Sequence, residues 1–142
     1  MSPAYDPDNV FAKILRGAAP CARVYEDERA LAFMDIMPRA PGHVLVIPKT
    51  PARNLLDIAP DALAQFMPAV QKVARAAKAA MAADGLSIMQ FNESAGGQVV
   101  FHLHFHILPR WTGVALGPPG GPMEKSETLA STAARIAAAL NG

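Results

Sequence analysis

Apolar positions along this chain switch between a helical and an alternating period, and the switches outline its elements. Val10, Phe11, Ile14 and Leu15 recur at helical spacing. Before them stands Asp6-Pro7-Asp8-Asn9, with Asp6 expected to cap free amides and Pro7 to occupy the first turn. Gly17 follows as a stop. The texture then becomes that of strands. Residues 23–26 and 30–36 flank the polar turn Asp27-Glu28-Arg29 and predict a hairpin. Residues 43–49 are a β-branched run bounded by turn residues, which suits a central strand.

Helical spacing returns over 60–83 through Leu63, Phe66, Val70, Val73, Ala77 and Met81, with Pro68 expected to kink the helix. Residues 86–91 and 99–108 read as strands joined by a polar loop, 92–98, the second strand halting at Pro109. A Gly/Pro-rich stretch covers 113–122, and Leu129, Ala133, Ile136 and Leu140 mark a last amphipathic helix over 124–140. This order predicts an α+β fold: a mainly antiparallel five-stranded sheet with two or three helices. It is read as one domain over 1–142, with 110–142 as a C-terminal extension.

Composition narrows the function classes. The 142 residues are 51% hydrophobic and 18% charged, which excludes general disorder. A net charge of +1 supplies no field for nucleic acid or an anionic membrane surface, so neither is expected as a partner. The apolar runs fall short of the roughly 18 residues that a membrane span needs. Cys21 is the single cysteine, which rules out an internal disulfide or a multi-cysteine metal site. The first residues are acidic and show no basic leader, so a cytoplasmic location is expected.

Three of the four histidines, His102, His104 and His106, fall within five residues. On a strand they would share one face, while Leu103, Phe105 and Ile107 would pack on the other. Three imidazoles are a costly core, because each needs hydrogen-bond partners. Spacing alone leaves three readings open: a three-histidine metal site, a histidine nucleophile acting on phosphorus, or an inert surface ladder. The loop before them carries Gly96 and Gly97, which let amides approach an anion, and Asn92 and Gln98, which can donate to phosphoryl oxygens. The same loop is equally well a plain glycine-bearing turn.

His-Leu-His-Phe-His-Ile-Leu at 102–108 resembles the signature of the histidine triad family. Phe11-Ala12-Lys13-Ile14, residues 20–27, Ala32-Phe33-Met34-Asp35-Ile36 and Ala40-Pro41-Gly42-His43 running on to Lys49 are similar to that family's blocks. The resemblance implies a hydrolase or transferase acting at the α-phosphorus of a purine nucleotide, with no metal or other cofactor. His104 would be the nucleophile, forming a nucleotidyl-histidine that water resolves to a nucleoside 5′-monophosphate. His102, His106 and His43 would orient it and contact phosphoryl oxygens, with Asn92, Gly97 and Gln98 beside them. Asp35 would hold the ribose hydroxyls, and Phe11, Ile14, Phe33 and Ile36 the base. A homodimer with a continuous sheet is implied as well.

Two features differ from the family pattern. The segment from Asn92 to Gln98 is one residue short, and Val99 stands where the phosphoramidase branch commonly has a hydroxyl residue. They motivate the alternative reading, a nucleotide-binding or partner-binding module with weak catalysis.

Overall fold

The computed structural model describes residues 4–140; residues 1–3, part of the acidic segment read as lacking a leader, lie outside them. Helix α1 (Val10–Leu15) is capped by Asn9, whose side chain accepts the Ala12 amide at 2.9 Å. Asp6, the expected cap, instead accepts the Asp8 amide and closes the turn before the helix. Strands β1 (Arg23–Glu26) and β2 (Ala30–Met34) form the expected hairpin, with Asp27 Oδ1 accepting the amides of Arg29 and Ala30. Then come β3 (Val44–Pro48), α2 (Pro60–Ala80), β4 (Gly85–Met89), β5 (Phe105–Arg110) and α3 (Ser126–Ala139). Helix α2 runs on as one helix through Pro68.

The sheet order is β1-β2-β3-β5-β4, and every neighbouring pair is antiparallel. Strands β2 and β3 are buried on both faces. Ala30, Ala32, Met34, Val44 and Val46 meet α2 and α3 through Phe66, Val70, Val73, Leu129 and Ile136. Their alternates, Leu31, Phe33, Leu45 and Ile47, form a smaller cluster on the opposite face with Phe11 of α1. That second face carries the site. Ile107 belongs to the large core, so its neighbour His106, paired with Leu45, points to the α1 face.

Strand β4, expected over 86–91, spans Gly85–Met89, and two further strands differ from expectation in ways that shape the site. Residues 30–36 were expected to be strand, yet β2 ends at Met34. There the Asp35 carboxylate takes the Met37 amide at 2.8 Å and turns the chain. Residues 99–108 were expected to be strand, yet β5 begins only at Phe105. The Leu103 amide is drawn to the Ala52 carbonyl at 2.9 Å, which ties this stretch to the loop after β3 rather than to a ladder.

Pro109 does not halt β5; it pairs with Leu86 on the β4 side. The pairing with β3 has already ended at Ile107, so the missing N–H of Pro109 costs no ladder bond there. Only His106 therefore sits on a strand, and His102 and His104 precede it in extended loop. The alternation of side chains survives without a ladder, since Leu103 packs with Ala52 and Ile58, and Phe105 packs against that same cluster and the large core.

Candidate active site

Four hydrogen bonds decide which nitrogen of each histidine carries its proton. The His104 Nδ1 lies 2.7 Å from the carbonyl oxygen of His102. A carbonyl only accepts, so Nδ1 carries the proton and Nε2 keeps a lone pair. His102 Nε2 lies 2.8 Å from the Pro48 carbonyl and is protonated by the same reasoning. The Arg39 amide donates to His43 Nδ1 at 3.1 Å, which puts the His43 proton on Nε2. That Nε2–H faces His106 Nδ1 at 2.9 Å, so His106 accepts there and carries its own proton on Nε2.

The four rings are therefore neutral and ordered. Burial pushes His43 down to about 3 and His102 and His106 to about 4, with His106 beside His43 and His104 beside the other two adding to the shift. Burial lowers His104 as well. Among the described residues no buried side-chain nitrogen or oxygen lacks a partner. The unpartnered Nε2 atoms of His104 and His106 must then reach solvent. One offers a lone pair and the other a proton, on rings whose centroids are 5.0 Å apart.

A match to the HIT domain spans residues 16–113, which include His43 and the whole histidine run.

The chain belongs to the HIT family.

Among solved structures, this HIT protein is similar to a Hit-like protein involved in cell-cycle regulation from Bartonella henselae. The two are 52% identical with a TM-score of 0.90, over 96% of this chain and 99% of that one. It is 35% identical over 124 residues to an adenosine 5′-monophosphoramidase of Schizosaccharomyces pombe, covering 85% of this chain and 90% of that protein. It is 39% identical over 103 residues to an adenylylsulfatase of Arabidopsis thaliana, covering 72% of this chain and 52% of the plant protein.

In this HIT protein the apolar side chains gather beside His104. Phe11 meets Phe33 edge-on at 5.3 Å and His104 edge-on at 5.0 Å, with Ile14 packed on the same cluster. Ile36 is not among them. It lies past the end of β2, outside that cluster and half exposed. Asp35 sits beside His43, its Oδ2 3.5 Å from His43 Nε2, and burial raises its pKa.

The loop residues expected to touch phosphate spend their groups on the loop and on residues 53–55 after β3. Gln98 is 4% exposed; its Oε1 accepts from Asn54 Nδ2 and the Glu93 amide, and its Nε2 donates to the carbonyls of Arg53 and Val100. Asn92 Oδ1 accepts the Leu55 amide, while its Nδ2 donates to Gln90. Gly97 has φ +101°, and a Cβ there would stand 3.3 Å from the Phe91 ring. That ring in turn packs edge-on to His106 at 5.6 Å.

The three-histidine metal set suggested by spacing does not assemble. Both ring nitrogens of His102 are engaged by Tyr5 and Pro48. A different trio, Asp35, His43 and His106, brings one ligand atom each within 4.8 Å of one another. An ion there would have to displace the proton shared between His43 and His106.

Sequence reasoning missed Arg39, Pro48, Tyr5 and the Arg53-Asn54-Glu93 bracket. The first two act through backbone atoms, which side-chain identity does not announce. Glu93 pairs with Arg53 through two contacts of 2.9 Å and with Asn54 at 2.6 Å, at a left-handed φ of +66°. A widely separated Arg and Glu give no local signal.

Proposed function

We propose that this protein is a nucleotide hydrolase that cleaves at the α-phosphorus of a purine nucleoside phosphate derivative through a nucleotidyl-His104 intermediate. One observation carries the reading: the 2.7 Å bond from His104 Nδ1 to the His102 carbonyl, which leaves Nε2 as an open lone pair. The S. pombe and Arabidopsis relatives are named for different adenylyl compounds, one bearing an amine and the other a sulfate. A site that serves both would grip the nucleoside and phosphoryl group and accept various leaving groups.

In this reading the His104 Nε2 lone pair attacks phosphorus. The bond to the leaving group breaks, its electrons stay with that group, and His106 Nε2–H supplies the proton. His43 hands its Nε2 proton to His106 Nδ1 at the same time, so the pair is left one proton short while nucleotidyl-His104 carries the positive charge. Water attacks the phosphorus next, loses a proton to the histidine pair, and returns the His104 electrons. Phe11, Ile14 and Phe33 would take the base, and Asp35 would accept from ribose hydroxyls. Asn92, Gly97 and Gln98 would act by framing the loop rather than by side-chain donation to phosphate. His102 would orient His104 without touching substrate.

The test is AMP release from adenosine 5′-phosphoramidate and from diadenosine polyphosphates, in parallel, with chelator present. Turnover of either, lost in His104→Ala while AMP still binds, is the expected outcome. A loss of about 10⁴-fold or more fits removal of a covalent nucleophile. Undiminished turnover in that variant would sink the mechanism.

A further inference from the structure

Every hydrogen bond that orders the histidines comes from within the family match at 16–113, except one. The Tyr5 hydroxyl lies 2.6 Å from His102 Nδ1. His102 Nε2–H already donates to Pro48, so Nδ1 is an acceptor and the phenol is its donor. The two rings meet edge-on at 5.6 Å, with an interplanar angle of 68°. Burial keeps the phenol protonated, as a donor must be.

The segment that carries Tyr5 is fastened to α1. Asn9 Nδ2 donates to the Asp6 carbonyl at 2.8 Å, and Arg16 donates to the Pro7 carbonyl at 2.6 Å. Helix α1 in turn lays Phe11 against His104. Tyr5 and Phe11 thus bear on two consecutive histidines from one side, one by a hydrogen bond and the other by an aromatic edge.

His102 is fully buried, and its ring spans from Pro48 to Tyr5. Held at both ring nitrogens, the residue is fixed in place together with its own carbonyl, the acceptor for His104 Nδ1–H. We propose that Tyr5 is a positioning residue: by donating to His102 Nδ1 it locks the first histidine in its Nε2–H form and aligns the carbonyl that orients His104. The inference rests on the reading of His104 as nucleophile. It adds a dependence of the site on a side chain outside the family match.

Loss of the hydroxyl leaves a buried acceptor without a donor. His102 then exchanges tautomers or tilts, and the His104 alignment loosens. The substrate pocket itself is untouched, so the effect belongs in kcat rather than KM.

The experiment pairs imidazole nitrogen NMR with steady-state kinetics on the native protein, Tyr5→Phe and Tyr5→Ala. In the native protein His102 should show a protonated Nε2 and a hydrogen-bonded, unprotonated Nδ1. In Tyr5→Phe the Nδ1 signal should move toward that of a free pyridine-like nitrogen, and kcat on adenosine 5′-phosphoramidate should fall about tenfold, a hydrogen bond's worth, with KM within about twofold. Tyr5→Ala should lose a similar factor, since the hydroxyl carries the effect. A protonated Nδ1 in the native protein, or an unchanged spectrum in Tyr5→Phe, would overturn the proposal. So would native kcat in Tyr5→Phe with a loss confined to Tyr5→Ala, which would assign the effect to ring packing. If the native protein turns over neither substrate class, the hydrolase reading fails, while the spectra alone still decide the Tyr5–His102 bond.

Discussion

At the scale of single residues, the site consists of neutral imidazoles whose protons are placed by backbone groups and, for His106, by the neighbouring ring of His43. This has a thermodynamic consequence. An ordinary histidine protonates near 6.5, whereas burial holds His43 near 3 and His102 and His106 near 4. Stability from these neutral rings is complete above pH 6.5. It is lost as pH falls, because the unfolded chain takes up protons that the folded chain refuses. Each such histidine steepens the loss by up to about 1.4 kcal/mol per pH unit. Depressed carboxylates such as Glu26 and Glu93 enter only below their ordinary value of 4.5, so they do not contribute between 6.5 and 4.5. Asp35, raised by burial, acts in the opposite sense. Urea midpoints measured across that interval should fall steadily with pH. A flat profile would mean that the rings are not held neutral.

At the scale of elements, Gly42 links the packing of the sheet to the site. It has φ +83°, and a Cβ there would stand 2.7 Å from Met81 Cγ and 3.1 Å from Pro109 Cγ. Gly42→Ala should cost about 1–3 kcal/mol through backbone strain and overpacking. It should also weaken turnover, since His43 is the next residue. Equilibrium unfolding checks the first effect and kcat the second. Pro41-Gly42 as a break before a central strand was plain in the sequence, as were the hairpin of β1 and β2 and the long helix α2. The extent of β5 was not. Alternation of His102-Leu103-His104 looks the same whether the backbone is laddered or merely extended, and only the Leu103–Ala52 bond separates the two. The histidines were legible because their clustering is chemically expensive. Their proton positions were not, because carbonyls and amides set them. Gln98 stood out as a polar residue in a glycine loop, but nothing local revealed that four protein groups saturate it.

At the scale of the whole molecule, the sheet has β1 and β4 as its edges. Helix α3 lies against β1, while β4 leaves Ile88 47% exposed. No helix among the described residues is long and apolar enough to cross a membrane. An uncovered edge strand invites a second copy, and a homodimer joined along β4 is the proposed assembly. Sedimentation at micromolar concentration should give twice the 15.0 kDa chain mass, and Ile88→Lys should shift it toward the single chain. A native protein that sediments as a single chain would remove this assembly.

The segment after β5 returns to the site before entering α3. Gly117 donates its amide to the Arg39 carbonyl at 2.8 Å and accepts from Arg39 Nε at 2.8 Å, and the Glu124 amide bonds the Ile36 carbonyl. These bonds steady the same Arg39 whose amide sets the His43 proton. During synthesis all four histidines have been added by residue 106, yet the clasp on Arg39 forms only once residues 117–124 have left the ribosome. The nascent chain thus carries its full set of reactive groups before it carries the means of arranging them, and maturation of the site waits for residues 117–124.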